Sequence, residues 1–203
     1  MFDWMLSEKH AIAILKKDHD TVKELFETFE KTDSSAEREK IIAKAVEELK
    51  LHAAIEEEIF YPTVRKHVGK DLMNEADEEH HVVRVLIAEL DANAAPDHRH
   101  AKFTVLAESV RHHIKEEETE MLPKAKELKI NFEMLGQQML DRKKQLKAKG
   151  IPRDAEHAMV AKANGKGDSP AAASRRKSSV LPKTAKKAPA AGARKSGSAH
   201  ASR

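Results

Sequence analysis

A set of histidine, glutamate and proline residues occurs twice in this sequence with the same internal spacing. In the first set, His19 and His52 are followed by Glu56 and Pro62 at intervals of four and six. The second set consists of His80, His113, Glu117 and Pro123, each at the same offset from its counterpart in the first. Imidazole and carboxylate groups bind divalent metals such as iron, zinc or manganese. Their recurrence at one spacing predicts a metal site built from two similar halves.

Apolar residues recur every three or four positions over four long segments, which is the spacing of amphipathic helices. The segments break at residues 32–35, where a serine can cap the next helix, at Gly69 and at residues 93–96. We therefore predict an all-α fold, an up-down-up-down four-helix bundle over residues 1–128 whose second and fourth helices end at prolines. Residues 129–150 are predicted to form an additional helix or linker. Aromatic residues at 4% and charged residues at 35% also favour helices over sheets.

The four histidines are predicted to lie level in this bundle. Antiparallel helices bring two residues level when both are equally far from the intervening turn, and the midpoints fall at the predicted breaks, at Ser35 and at Pro96 and Asp97. Each histidine also lies on the apolar stripe of its helix, and a glutamate four positions later shares that face. Two buried carboxylates without a counter-charge would cost several kcal/mol each. We expect a metal cation to remove this cost, and four imidazoles with two carboxylates suit two bridged metals.

Other interpretations apply to the neighbouring residues. A lone histidine on an apolar stripe is more often a hydrogen-bonded core residue than a ligand, and glutamate runs are typical of solvated faces. His81 and His112 point about 100° away from the candidates and are expected at the surface. Asp18 either hydrogen-bonds a ligand histidine or is exposed. The expected solvated glutamates are Glu57, Glu58, Glu118 and Glu120, of which Glu118 is an alternative ligand to Glu117.

The motifs resemble the hemerythrin-like, His-His-Glu cation-binding domain over roughly residues 8–128. The resemblance rests on KDHD at 17–20, HAAIEEEIFYP at 52–62, EEHH at 78–81 and HIKEEETEMLP at 113–123. It implies a four-helix bundle with a non-heme di-iron centre that binds dioxygen, nitric oxide or related ligands. The metal ligands that it implies are His19, His52, Glu56, His80, His113 and Glu117, with both glutamates bridging.

The sequence departs from the oxygen-carrying hemerythrins at two ligands. Those proteins have a further histidine four residues after the third-helix histidine, where this chain has Arg84, and Lys23 stands at the equivalent place in the first repeat. Their final carboxylate follows its histidine by five residues rather than four. The resemblance therefore implies more open coordination, looser iron binding and faster autoxidation than a reversible carrier tolerates. Arg84 lies at the surface in one interpretation, and Tyr61 or solvent then fills the position.

The two ends of the chain differ in charge. Residues 1–150 carry 25 Lys+Arg and 31 Asp+Glu, a net charge of −6, whereas residues 151–203 carry 12 and 3, a net charge of +9. The second segment is rich in lysine, alanine, proline and serine, with almost no apolar side chains to offset the entropy of ordering. We predict a disordered basic tail at 151–203. It either contacts DNA or RNA through phosphates or is an incidental tail without a fixed partner.

Composition excludes several other classes. The chain has no cysteine, which excludes disulfide scaffolds, iron–sulfur clusters and thiolate zinc sites. It has no apolar run of about 20 residues, and its first residues lack the pattern of a signal peptide, so we expect a cytoplasmic protein without a membrane span.

The functional prediction is a di-iron protein that binds or senses O2 or NO, or buffers iron. One alternative is an enzyme that consumes peroxide or oxygen, although the sequence offers no acid–base pair beyond the ligands. The other is a nucleic-acid-associated protein that docks through its tail. Metal identity, physiological ligand and oligomeric state stay open.

Overall fold

The computed structural model describes residues 6–91, 96–153 and 155–165, and every regular element in these ranges is helical. The predicted all-α class is therefore confirmed. Two five-residue π-helical segments, Glu56–Phe60 and Glu117–Met121, each join a long helix to a short one. The α-helices are α1 (Ala11–Lys31), α2 (Ser35–Ile55), α3 (Tyr61–Val68), α4 (Lys70–Asp91), α5 (Pro96–Glu116), α6 (Leu122–Lys126), α7 (Phe132–Lys149) and α8 (Ala155–Gly165).

Local sequence signals determine where the helices begin and end. The Ser34 hydroxyl accepts a hydrogen bond from the backbone N–H of Glu37 and caps α2, as the sequence predicted. Gly69 has a φ of +110° between α3 and α4, a backbone conformation that glycine adopts without the strain of a Cβ atom. The Asn131 side chain accepts hydrogen bonds from two backbone N–H groups at the start of α7.

The bundle core consists of two apolar clusters with a band of buried histidines and glutamates between them. Along α1, Leu15 belongs to one cluster and Val22 to the other, with buried His19 between them. Along α2, His52 lies in the same way between Leu49 and Ile55. Because apolar packing on both sides fixes the position of each helix, the polar residues between the clusters are brought to the same depth.

The helices do not end at the two prolines, so this part of the sequence prediction was wrong. α3 and α6 continue the direction of the chain beyond Pro62 and Pro123. Proline lacks an N–H group and clashes with the carbonyl one turn earlier, and the backbone accommodates it by widening for one turn. In the first segment the N–H group of Tyr61 donates to the carbonyl of Glu56, five residues earlier. Such π-helical turns are frequent at functional sites.

The additional helix predicted after residue 129 is α7, which packs on α1 and α2. Gly136 allows its close approach to the chain before α1. A Cβ atom at this position would lie 1.9 Å from the backbone oxygen of Lys9.

The predicted start of the disordered tail, at residue 151, was wrong because α8 forms within it. This helix packs on α4, and its Glu156 carboxylate is buried. Glu156 accepts hydrogen bonds from His81 at 2.9 Å and from Arg84 at 3.0 Å. Polar anchoring thus replaces the apolar side chains that the segment lacks. Residues 166–203, the rest of the predicted tail, lie outside the described residues.

Candidate metal centre

The four repeated histidines point the same ring nitrogen into the core. The rings of His19 and His52, from α1 and α2, have centroids 4.8 Å apart. Those of His80 and His113, from α4 and α5, have centroids 4.7 Å apart, with their Nε2 atoms separated by 3.2 Å. All four side chains are buried. The structure therefore brings together the histidines that the sequence placed level.

Two buried glutamates complete the cluster. Glu56 Oε2 lies 3.2 Å from His52 Nε2 and 3.4 Å from His80 Nε2, so that this carboxylate lies between the two histidine pairs. Glu117 Oε2 lies 3.0 Å from His19 Nε2. The potential donor atoms form two groups, each within 4.8 Å, with Glu56 in both. The first group is His19, His52, Glu56 and Glu117, and the second is Glu56, His80 and His113.

The donor atoms fit a metal better than they fit one another. All four carboxylate oxygens of Glu56 and Glu117 are buried without a hydrogen-bond donor. The Nε2 atoms of His19 and His52 are also buried without a hydrogen-bond partner. Several of these atoms lie within about 3 Å of each other, yet their directions are not those of hydrogen bonds. A buried carboxylate without a donor is costly, and a cation bound between the oxygens would remove that cost. The assignment of the six side chains as ligands stays a prediction that this geometry supports.

The opposite ring nitrogen of each histidine lies beside a carboxylate in an outer layer. The distances from Nδ1 to the carboxylate oxygen are 2.9 Å for His19 and Glu118, 3.4 Å for His52 and Asp18, 2.8 Å for His80 and Glu57, and 2.8 Å for His113 and Glu79. Because an ionised carboxylate only accepts hydrogen bonds, Nδ1 is the donor in each pair. Such outer carboxylates orient a ligand histidine and leave Nε2 for the metal.

Sequence reasoning missed part of this outer layer. Glu57 is exposed, as expected, and Glu118 is half-buried, but each also accepts a hydrogen bond from a histidine Nδ1, a role that was not predicted for either. Asp18 has the hydrogen-bonding role that was weighed for it. The repeat itself held the missing signal, because Asp18 and Glu79 occupy matching positions in the two halves, as do Glu57 and Glu118.

Arg84 does not enter the metal cluster. Its guanidinium group binds Glu57 and Glu156, one layer outside His80. Of the two interpretations, a position near the surface therefore agrees better with the structure than a position in the metal site. Lys23, its counterpart in the first repeat, takes the matching place beside Glu118 at 3.3 Å. Arg84 and Lys23, which occupy matching positions in the two repeats, therefore each pair with an outer carboxylate.

In the metal-free chain, the histidines themselves supply part of the counter-charge. Burial lowers the pKa of His52, but Glu56 and Asp18 outweigh it and raise the pKa to about 10. Burial likewise opposes, and Glu56 and Glu57 then raise, the pKa of His80 to about 9. Burial raises the pKa of Glu56, yet His52 and His80 hold it well below its usual value. Protons on the imidazoles therefore offset part of the carboxylate charge when no metal is bound.

Tyr61 lies beside the second histidine pair. Its hydroxyl oxygen is 3.1 Å from His80 Nε2 and 3.5 Å from His113 Nε2, and the side chain is buried. Burial, followed by the charges of Glu117 and Glu56, raises the pKa of this phenol well above its usual value. The hydroxyl is therefore neutral. It lies beside His80 and His113, which with Glu56 form the set with fewer potential metal ligands. The equivalent position in the other half is Leu122, so Tyr61 makes the two halves chemically different.

A small cavity adjoins three of the histidines. Its volume is about 20 Å³, enough for one water-sized molecule. Most of its wall is aliphatic. The lining residues are Val22, Leu49, His52, Ala53, His80, Val83, Val110, His113 and Ile114.

The fold and the site define a helical-bundle protein with a buried cluster of histidines and carboxylates that could hold metal. The family model of the Hemerythrin HHE cation binding domain matches residues 10–125, more than half of the chain. The chain belongs to this family, and it is a metal-binding, hemerythrin-like protein. Within the described residues, no helix has the length and apolar character needed to cross a membrane.

The fold is similar to a crystal structure of a hemerythrin HHE cation binding domain-containing protein from Mycobacterium kansasii. The TM-score is 0.58 and the sequence identity 24%, over 78% of this chain and 94% of that chain. At this identity the likeness concerns the fold. The sequence matches no curated protein.

Proposed function

We propose that this protein holds two non-heme iron ions and binds a small ligand such as O2 or NO at them. The observation that carries the proposal is the sharing of Glu56 by two groups of buried donor atoms. A single ion does not require two such groups, whereas two ions bridged by a carboxylate do. The donors are nitrogen and oxygen without thiolate, a set that suits iron in a bundle core.

Each ion has its own set of protein ligands in this proposal. His19, His52 and Glu117 would hold one ion, His80 and His113 the other, and Glu56 would bridge them. A second bridge by Glu117 is also part of the proposal. Bound iron would supply reversible redox chemistry and would bind the diatomic ligand. The outer carboxylates fix the imidazole rings so that Nε2 faces inward before the metal arrives.

The size and the lining of the cavity support a diatomic ligand. A volume of about 20 Å³ admits O2 or NO but excludes most organic substrates. Aliphatic walls favour an apolar diatomic over ions or sugars. The additional histidine of oxygen carriers is replaced by Arg84, which lies outside the cluster, so we favour ligand sensing or scavenging over reversible oxygen transport.

Anaerobic titration of the metal-free protein with Fe²⁺, followed by NO, tests the proposal. We expect an NO complex with a visible absorption band. Val83→Leu, which extends a wall of the cavity, is expected to weaken NO binding without changing the iron content. Val105→Leu is the matched control because Val105 is exposed and lies outside the cavity. Iron loading without any NO or O2 response would contradict the ligand-binding function.

A second candidate function is the consumption of peroxide or oxygen, and the buried hydroxyl of Tyr61 favours it. This O–H group lies within 3.5 Å of two ligand nitrogens, where it can donate a hydrogen bond or a proton to a small ligand. Tyr61→Phe removes the hydroxyl and keeps the ring. If the protein is a catalyst, the iron-loaded variant should lose peroxide turnover by tenfold or more, on the order expected for a positioned proton donor, and retain its iron. Absence of turnover in the unmodified protein would remove this candidate.

A further inference from the structure

Three of the four outer carboxylates each pair with a lysine or an arginine. Asp18 contacts Lys143 at 2.6 Å, Glu118 contacts Lys23 at 3.3 Å, and Glu57 binds Arg84. Glu79 differs. Among the described residues, its ion-pair partners are His113 at 2.8 Å and His112 at 3.6 Å. Ammonium and guanidinium groups repel a cation and cannot bind it, whereas imidazole is a metal ligand. Each outer carboxylate with its histidine is called a corner of the site. Of the four corners, the one at Glu79 is therefore the one where an approaching metal ion meets no lysine or arginine paired with the carboxylate.

The difference between the halves has a structural cause. At the first half, α7 packs on α2, and Leu51 and Ile55 are fully buried. The equivalent positions in the second half are His112 and Glu116. His112 has 63% of its side chain exposed. The second half thus has two potential metal ligands near Glu79 where the first half has two buried apolar residues.

His112, Glu116 and Glu79 form a group of donor atoms within 4.8 Å of one another. His112 Nε2 lies 3.2 Å from Glu116 Oε1, and these two side chains are one helical turn apart. An open groove of about 720 Å³ begins at His112 and Glu79, and Glu75 and Glu78 add further negative charge to it. Carboxylates that line a cleft raise the local concentration of cations.

A small internal cavity continues from this group toward the core. Its volume is about 10 Å³, and Glu79 and Glu116 line it together with the ligand candidates His113 and Glu117. Both carboxylate oxygens of Glu117 are buried there without a hydrogen-bond donor. The groove, the group of three side chains and the cavity thus have Glu79 in common.

We propose that Glu79, His112 and Glu116 are the loading site through which divalent metal enters the buried centre. The inference rests on the proposed metal-binding function and adds a route to it. An ion that enters the groove exchanges water for these side chains and then passes to Glu117 and His113. Glu79 has two roles, since one oxygen orients His113 and the other faces His112.

Stopped-flow mixing of the metal-free full-length protein with Co²⁺ tests the route, because bound Co²⁺ has visible absorption bands. His112→Lys gives this corner the cation that the other three have, and Glu116→Gln removes a carboxylate. Both positions lie outside the predicted ligand set. The matched controls are His67→Lys and Glu24→Gln, at exposed positions that do not line the groove.

We expect each loading-site variant to take up Co²⁺ about tenfold more slowly, the lower range of electrostatic focusing, and to reach the same final amount and spectrum. The controls should load at the rate of the unmodified protein. Equal rates for variants and controls would overturn the loading site while leaving the metal centre intact. A lower final metal content in the variants would also overturn it, because the residues would then belong to the permanent site. If the unmodified protein binds no Co²⁺, the proposed metal centre fails as well.

Discussion

Both ring nitrogens of each predicted ligand histidine have a role in the proposed metal centre. Nε2 faces the shared core, and Nδ1 is held by a carboxylate of the outer layer. A ring fixed at both ends loses little rotational freedom when a metal binds, which increases affinity without adding a ligand. Lysine or arginine beside three of these carboxylates keeps them in place.

Replacing one outer carboxylate should weaken the metal without removing a ligand. Glu118→Gln replaces the anionic acceptor beside His19 Nδ1 by an amide, so we expect metal affinity to fall about 10- to 100-fold. Competition with a coloured chelator measures the change. Glu120→Gln, two residues later on the exposed face, is the control and should bind metal normally. Equal affinities for the two variants would show that the outer layer does not support the site.

The sequence predicted the inner residues better than the outer ones, for a physical reason. His19 and His52 lie on apolar stripes, where a polar side chain is unusual and draws attention. Glu57 and Glu118 lie within glutamate runs whose composition is that of any solvated helix face. The π-helical turns near the prolines change which members of such a run face the core. Helical periodicity alone does not predict this shift.

At the scale of helices, the two π-helical segments explain how carboxylates enter the core. Glu56 and Glu117 begin these segments, and each precedes a proline by six residues. The sequence located the prolines but predicted that the helices end there. Helix packing beyond them overrides that local preference, because Val64 and Val68 of α3 belong to the same apolar cluster as α1 and α7.

The contact between α7 and the start of α1 should be sensitive to one methyl group. Gly136→Ala places a Cβ atom 1.9 Å from the Lys9 backbone oxygen, and backbone cannot rotate away as a side chain would. We expect the free energy of unfolding to fall by about 1–3 kcal/mol, the usual cost of overpacking. Urea unfolding measures it, with Gln138→Ala at an exposed position of the same helix as the control. A variant as stable as the control would contradict the close approach.

The formation of α8 was not predictable from apolar periodicity. The helix is attached by hydrogen bonds from α4 to Glu156, and by an ion pair between His157 and Asp91 at 2.8 Å. Pairs between residues so distant along the chain leave no local pattern in the sequence. The compositional change near residue 150 does not mark the end of ordered helix, because α8 lies beyond it.

For the molecule as a whole, protons and the proposed metal ions would compete for the same buried groups. The pKa of His52 is raised to about 10 and that of His80 to about 9, above the value near 6.5 of an unfolded chain. Folding therefore favours the protonated rings. Their contribution to stability is fully present below about pH 6.5 and is lost as the pH rises toward 9 and 10.

The metal-free protein should accordingly become less stable between pH 6.5 and 9, while metal binding releases protons. We expect the midpoint of urea unfolding, with chelator present, to fall across this range. The increase in stability on adding metal should grow with pH, because less work is needed to displace the protons. A flat profile for the metal-free protein would contradict the histidine and carboxylate pairing.

The net charge of +9 beyond residue 150 predicts contact with nucleic acid through phosphates. Most of this segment lies outside the described residues, and nucleic-acid binding stays a prediction. Removal of residues 166–203 leaves α8 in place and should abolish retention on DNA at low salt. If the shortened protein is retained on DNA as well as the full-length protein, the tail does not bind nucleic acid.

The most direct test is an anaerobic Fe²⁺ titration of the metal-free protein, with iron per chain measured by elemental analysis. The predicted result is saturation at two ions per chain, reduced in His52→Ala and His113→Ala and unchanged in His67→Ala, an exposed position. Iron content that is the same in all four proteins would contradict a centre built from the repeated histidines and glutamates.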